Sequence, residues 1–598
     1  MAKRTRSFGD IFRRRTLAIG LVIVVIALSC VVKLSYIQLY NGSALASQAA
    51  QSRTVDRRLQ GVRGTITDIN NVTLAQSIES YTIFADQQAA SQFKPVACKG
   101  RNNGICQETT QKKVFEVEGP ASIARMLAPI LQMDVKELGA KLTGSNRYVI
   151  LQRNALPQVK RQIDQLNISS IIGFELTSNR EYSDDGLLGT ILGGVDNTGN
   201  GVAGLELMEN EALVGHDGHV VYQRGRNGQE IPGTRTESSD PKQGGTVQLT
   251  IDRDVQWYVK KALVDGKNKY HAQYGIAVVQ RVSDGQIVAI ADTDEYQAGS
   301  DDAKTHTSRA ITEVFEPGST GKLITAAAVL QEGLHQPADH FSVPYSIKVD
   351  GQTIHDSHEH GVEQLTLGGI LKVSSNVGTL MSAQNLSYDK RLEYIKKFGI
   401  GESTGIQFPG ESSGQIVDNA SQWDLRTRQT VLFGQGYSAS ALQMTNVVAT
   451  IANKGVRNAQ RLIASATDAQ GNNVTPQSAQ PVRVIDEDNA NKMMNMMESV
   501  AQASQKLLNM PGYRIAGKSG TAEVAGEGGS LSGIMADFIG AIPADNPQFV
   551  ITVVYRDPEG LYGIVTAGPV FAQIGEFLMQ KYQIPASAPR TDAIPTEW

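Results

Sequence analysis

Cysteine is nearly absent from this chain, with three in 598 residues. No second C-x-x-C or His pair accompanies them, which argues against a zinc site. An excess of charge of one sign is also missing. Lys+Arg 56 against Asp+Glu 60 leaves a net charge of -4, which offers no basic footprint for nucleic acid. There is no internal repeat and no long low-complexity tract, and 41% hydrophobic with 19% charged residues argues against disorder. One hydrophobic core does not usually serve a chain of this length, so two or more folded units are expected.

The charge that is present is unevenly placed. Lys3, Arg4, Arg6, Arg13, Arg14 and Arg15 crowd the first residues, directly before "TLAIGLVIVVIALSCVVKLSYIQL". That run, 16–39, is close to the roughly 20 apolar residues a bilayer crossing needs. Lys33 lies near its far end, where a long side chain snorkels to the interface, and Tyr36 and Tyr40 suit the same interface. The stretch "LSYIQLYNG" at its end offers no A-x-A cleavage site and the apolar core is long, which argues against a removed signal peptide. The apolar run also continues past Cys30, which argues against a lipoprotein cysteine. The positive-inside rule then makes 1–15 a short cytoplasmic segment, 16–39 a single-pass anchor in the plasma membrane, and everything later extracytoplasmic. Outside the cytoplasm, Cys98 and Cys106 bracket "KGRNNGI" closely enough for a local disulfide, with two free thiols as the alternative.

From 40 to 240 the chain alternates short strand-like and helical runs without a dense catalytic grouping, as a pedestal would. "PASIARMLAPILQMDVKELGAKL" has helical spacing, and "RYVILQRNALPQVKRQIDQL" reads as a strand followed by a helix. A second region, 241–584, opens with the alternating strand "TVQLTI" and a helix that Asp252 is placed to cap. "YGIAVVQRVSDGQIVAIAD" is a hairpin about "SDG". The end, 585–598, reads as a loose tail.

The strongest chemical signal is "FEPGSTGKLITAAAVLQEG". Pro317 and Gly318 make a turn, so Ser319 stands at a helix N-terminus, where free N–H groups favour a developing anion. Lys322 follows three residues on, on the same face. A serine needs a base to take its proton, and a lysine can be one if burial and neighbouring cations, Lys518 among the candidates, depress its pKa. "LTLGGILKVSSNVGTLMSA" places Ser374, Ser375 and Asn376 where a helix meets a turn, and Lys518-Ser519-Gly520-Thr521 lies near the far end. S-x-x-K, S-x-N and K-[ST]-G in this order form one active-serine signature.

Two competing patterns are weaker. Gly512, Gly517, Lys518 and Ser519 fit the nucleotide loop G-x-x-x-x-G-K-[ST], but Tyr513-Arg514-Ile515-Ala516 is too bulky to wrap phosphates and a strand, not a helix, follows. His355, His358 and His360 lie near Asp356 and Glu359, yet their spacing matches no zinc helix, and an exposed, solvated hairpin is expected.

With these motifs go longer stretches. "RGTITDINNVTLA" from Arg63 is similar to R-G-x-I-x-D-R-N-G-x-x-L-A, departing from it at Ile69 and Asn71. "GVAGLELMENEALVGHDG", "FGIGESTGIQFPGE", "FGQGYSASALQMTNVVATIANKG" and "FIGAIPADNP" are further landmarks of the same family. The chain resembles the class B penicillin-binding proteins, membrane-anchored transpeptidases that cross-link peptidoglycan, with the layout of the division type resembling penicillin-binding protein 3. No segment between the anchor and the first landmark is long enough for the glycosyltransferase domain of class A.

The resemblance implies an α+β chain with one transmembrane helix, an elongated pedestal of the dimerisation-domain kind, and a transpeptidase domain with an antiparallel sheet sandwiched by helices. It implies Ser319 as nucleophile on D-Ala-D-Ala stem peptides, Lys322 as its base, and Ser374 and Asn376 in proton transfer and substrate holding. Lys518, Ser519, Gly520 and Thr521 would bind the terminal carboxylate, and the N–H groups of Ser319 and Thr521 would form the oxyanion hole. β-Lactams would acylate the same serine. No cofactor and no metal are implied. The implied partners are a membrane glycosyltransferase and divisome proteins, with a homodimer left open. A D,D-carboxypeptidase and a non-catalytic β-lactam sensor or scaffold remain as other readings.

Overall fold

The computed structural model describes residues 8–95, 117–183, 186–225, 230–525, 531–560 and 562–598. Cys98 and Cys106 lie outside them, and with them the disulfide expectation. The apolar run forms helix α1, Phe8–Ser35, extended by a π-helical turn at Tyr36–Tyr40. Its large side chains are exposed, as a surface meant for lipid must be: Leu21 is 67% exposed and Val32 is 67% exposed. The helix starts before Thr16 because Arg13, Arg14 and Arg15 are good helix formers and nothing there breaks the turn.

The chain forms two compact units, 1–61 with 216–242, and 62–215 with 243–598. In the first, the strand Thr54–Leu59 pairs antiparallel with Gly218–Gln223, which also pairs with Glu237–Ser239.

The second unit begins with a sheet of β1 (Thr65–Thr67), β2 (Thr73–Ala85), β3 (Val149–Ala155) and β4 (Ile172–Tyr182), in which β2 pairs with the other three. Strand β5 (Thr246–Leu249) joins β1 in parallel, and Ile463–Ala466 adds to β5 from the other side. Sequence neighbours of the first and last thirds of the chain thereby share one sheet. The helical stretch before β3 is two helices, Pro120–Leu131 and Val135–Leu142, broken where Asp134 caps the second. Two of the sequence landmarks meet nearby. Glu206, fully buried, accepts from Arg63 Nε at 2.6 Å and from Arg180 Nε at 2.7 Å.

From Arg253 the chain runs α2 (Arg253–Lys269), β6 (Tyr274–Arg281), β7 (Ile287–Asp292), α3 (Lys322–Gln331), β8 (Glu363–Thr366), α4 (Leu367–Val373), α5 (Asn376–Ser382), α6 (Ala441–Ala452), α7 (Glu487–Ala503), β9 (Ala516–Ala525), β10 (Leu531–Ile542), β11 (Phe549–Arg556) and α8 (Gly563–Lys581). Asp252 caps α2 as expected, accepting from Asp254 N at 3.0 Å and Val255 N at 3.3 Å. Five strands form an antiparallel sheet in the order β7-β6-β11-β10-β9. Helices α2 and α8 cover one face with Val259, Leu263, Phe571 and Leu578. Helices α3, α6 and α7 supply the core on the other. Ile276, Ala277, Val278 and Val279 of β6 are all fully buried, so this strand has no polar face, and each buried Ile or Val contributes about 1.5–3 kcal/mol. The expected antiparallel sheet between helices is the architecture found.

The end of the chain departs from expectation. Residues 585–598 are a docked strap. Ser587 N donates to Gly512 O at 2.8 Å. Arg590, its side chain 5% exposed, donates to Gln502 Oε1 at 2.8 Å and to Asn495 O at 2.8 Å on α7. Thr366 N donates to Thr596 O at 3.1 Å, and Trp598 stacks on His340 at 4.5 Å between ring centroids. The proline- and alanine-rich composition that suggested looseness gives an extended chain, and its polar groups find partners on α7 and β8.

Replacing Arg590 with alanine removes several charge-assisted hydrogen bonds, so Arg590→Ala is expected to lose about 2–3 kcal/mol of stability. A denaturant midpoint equal to that of the unaltered protein would show that the strap adds nothing.

Candidate active site

Ser319 lies in a 3-10 turn, Gly318–Gly321, that runs into α3. Gly318 has φ 56, and a Cβ there would sit 3.2 Å from Thr521 O on β9. Only glycine supplies both that backbone and that approach. Gly318 N donates to Gly434 O at 2.9 Å. The landmark "FGQG" is therefore the back wall of the serine turn, tied down further where Gly436 N donates to Glu316 Oε1 at 2.8 Å.

Lys322 is 1% exposed and points back along the turn. Its Nζ lies 3.0 Å from Ser319 Oγ, 3.2 Å from Ser374 Oγ and 2.5 Å from Ser374 O. Burial drives its pKa well below the ordinary lysine value; the Lys518 cation lowers it further, and Asp356 opposes. The two shifts anticipated from sequence, burial and Lys518, are the ones present.

Ser374 ends α4 in the left-handed conformation, φ 65, which turns its carbonyl and hydroxyl towards Lys322. Ser375 caps α5, accepting from Gly378 N at 2.8 Å. Asn376 begins that helix, and its Nδ2 donates to His355 O at 3.3 Å. One carboxylate organises this corner. Asp356, 6% exposed, accepts from Asn376 N at 2.5 Å, Val377 N at 3.0 Å and Ser375 Oγ at 2.7 Å, and its Oδ2 lies 3.0 Å from His360 Nε2. The expected solvated loop is thus corrected at two residues, Asp356 and the half-buried His360 that meets it. His355, His358 and Glu359 are exposed, but Asp356 is folded inward because a helix N-terminus with unpaired N–H groups attracts a carboxylate. Among the described residues no cluster of His, Cys, Asp and Glu is arranged to hold a metal.

Lys518, Ser519, Gly520 and Thr521 lie on β9, the edge strand beside the serine turn. Lys518 stands in a strand, so the phosphate-loop pattern has no helix to serve. Strand alternation turns Lys518 and Gly520 inward and leaves Ser519 half-buried and Thr521 exposed. Lys518 is 1% exposed; burial lowers its pKa and Asp537 opposes. Gly563 N, at the start of α8, donates to Thr521 Oγ1 at 3.3 Å. Ser319, Lys322 and Ser374 therefore meet at hydrogen-bond distance, with β9 against the serine turn. Asn376 is held one residue beyond Ser375. Sequence reading missed Asp356 and Asp537. A lone charge inside the apolar run "IMADFIGAI" was the available signal for the second.

Without the Asp356 carboxylate the first N–H groups of α5 lose their acceptor. Asp356→Ala is expected to lower stability by at least about 2 kcal/mol and to slow β-lactam labelling. An unchanged melting temperature and labelling rate would remove Asp356 from this account.

The penicillin binding protein transpeptidase domain matches residues 275–576, and the penicillin-binding protein dimerisation domain matches residues 58–249. Penicillin-binding protein PbpB of Mycobacterium tuberculosis is 32% identical over 606 residues, covering 98% of this chain and 87% of that protein. Peptidoglycan D,D-transpeptidase FtsI of Escherichia coli is 27% identical over 553 residues, 91% of this chain and 87% of its own. A peptidoglycan synthetase from Bifidobacterium adolescentis superposes with a TM-score of 0.73 at 51% identity, over 91% of this chain and 100% of that one. Penicillin-binding protein 3 from Mycobacterium tuberculosis, complexed with aztreonam, gives 0.67 at 27% identity, over 89% and 99%. With both domains matched and full-length relatives alike, the chain belongs to the class B penicillin-binding proteins, of the penicillin-binding protein 3 type.

Proposed function

We propose that this chain is a serine-type peptidoglycan D,D-transpeptidase of septal wall synthesis and a β-lactam target. The carrying observation is the Lys322 amine, within hydrogen-bond distance of both Ser319 Oγ and Ser374 Oγ. Ser319 Oγ attacks the carbonyl of the penultimate D-Ala of a stem peptide while Lys322 Nζ takes its proton. The N–H groups of Ser319 and Thr521 receive the developing oxyanion. The proton passes through Ser374 to the departing D-Ala nitrogen, leaving an ester on Ser319. An acceptor amine from a neighbouring stem then displaces the serine and completes the cross-link. Lys518, Ser519 and Thr521 hold the terminal carboxylate, the ammonium giving charge and the hydroxyls direction. Asn376 holds the peptide amide.

The helix α1 anchors the chain in the membrane, and the basic start before it favours a cytoplasmic N-terminus with the catalytic region outside. On this reading 40–240 is the pedestal and 241–584 the transpeptidase domain. Working partners would be a membrane glycosyltransferase and division proteins, and the matched dimerisation domain keeps a homodimer in view.

Labelled penicillin is expected to attach to Ser319 alone. Stem peptide with an amine acceptor is expected to give cross-linked product. Label mapping elsewhere would end the nucleophile assignment, and hydrolysis or a stalled adduct without cross-linking would favour the carboxypeptidase or sensor readings.

A second expectation follows from the lysine. Its neutral form is the base, and burial with a neighbouring cation lowers its pKa. Acylation is therefore present above that depressed value and is lost as pH falls through it. Lys322→Arg keeps its proton at every accessible pH, so acylation should fall by roughly 10²–10⁴ throughout. An acylation rate that stays flat into acid would exclude Lys322 as the base.

A further inference from the structure

One ionisable group in the cleft wall has no task in the mechanism above. Asp537 lies on β10, directly opposite Gly520 in the antiparallel register with β9, while Lys518 is opposite Ile539. Residues opposite one another in such a pair share a face, and so do residues two apart. The Asp537 carboxylate and the Lys518 side chain are therefore diagonal neighbours on the inward face of β9 and β10. Asp537 is 1% exposed, and both its carboxylate oxygens lack a hydrogen-bond partner among the described residues. Thr320, beside the serine and close enough to act on it, instead donates its hydroxyl proton to Pro317 O at 2.8 Å.

The carboxylate also occupies space that a side chain would otherwise fill. A Cβ on Gly520 would lie 2.1 Å from Asp537 Oδ1. The glycine in the K-S-G-T segment is thus explained by the acid beneath it as well as by substrate access above. An enclosed carboxylate without hydrogen-bond donors is costly, on the order of several kcal/mol, unless a cation compensates it. Lys518 is the cation that acts on it.

We propose that Asp537 is a positioning residue for acylation, the buried counter-ion that holds the Lys518 ammonium charged and in place for the substrate's terminal carboxylate. This rests on the reading of Lys518 as the carboxylate-binding cation. Burial pushes Asp537 up and Lys518 down, and each opposes the other's shift. The pair therefore holds its charges together or loses them together. The other charged groups facing it are Lys322, which Lys518 acts on, and Asp356 behind Lys322. Opposite Asp537 on the far side, Val554 of β11 is apolar. Neutralising Asp537 removes the anion that favours charged Lys518. Lys518 then gives up its proton at lower pH, and the carboxylate-binding cation is lost sooner as pH rises.

The test is the pH profile of penicillin acylation in the full-length protein, with Ser319 adduct mapping and a melting curve on every variant. Asp537→Asn is expected to reduce the second-order acylation rate about tenfold or more at pH 8 and less at pH 6, moving the alkaline limb acidward. Asp537→Ser, which leaves room for water, should move it the same way and serves if the amide variant does not fold. In Lys518→Arg, whose guanidinium keeps its charge, adding Asp537→Asn should not move the alkaline limb. A folded Asp537 variant that labels Ser319 with the unaltered profile overturns the proposal. Absence of Ser319 label in the unaltered protein would instead fail the underlying reading.

Discussion

Two lysine side chains, each 1% exposed, are enclosed in the same cleft. Two ammonium groups cannot be desolvated side by side without a large penalty, so one must yield its proton. Lys322 is the one pressed hardest, by burial first and by the Lys518 cation second. Lys518 has the enclosed Asp537 carboxyl group beside it, which opposes the loss of its charge. From this one constraint come an amine pressed to give up its proton beside a serine hydroxyl and a second amine with a carboxyl group enclosed beside it. A surface S-x-x-K would have neither.

The remaining architecture keeps those amines dry and aimed. The serine turn is backed by Gly434 and faced by Thr521, so its backbone has little room to relax. Ser374 reaches Lys322 only because α4 stops on a left-handed residue, and α5 restarts on the Asp356 carboxylate. The strap of 585–598 runs from the approach to β9, over α7, to the strand that precedes α4. It thus touches both sequence segments that flank the site. The parallel pairing of β5 with β1 does the same at larger scale, building a region near the start of the chain and the catalytic sheet's approach into one compact unit.

Much of this was legible beforehand where the signal is local. The lipid-facing helix is a matter of run length, the hairpin of β6 and β7 a matter of two β-branched runs around one turn, and the cap of α2 a matter of one aspartate at one offset. The three active-serine motifs were readable in order, and the meeting of Ser319, Lys322 and Ser374 is what that order implied. The strap was misread for a physical reason. Proline and alanine at a chain end carry no periodicity, and the partners that order them are the side chains of α7 and the edge of β8. Asp356 was misread because its neighbours in sequence are polar and solvated, while its partners are the N–H groups of a helix 20 residues on.

The sequence by itself determined the long apolar helix, the alternation of elements, the family and the residues proposed to carry the chemistry, since each depends on residues near one another along the chain. Only the tertiary structure decided how hard each of those residues is pressed to change its charge. Lys322 and Ser374 are 52 residues apart, and Lys518 comes from the far end of the domain. The proton on each lysine is set by how completely water is excluded and by which opposite charge is enclosed with it. Those quantities exist only once the distant segments have packed.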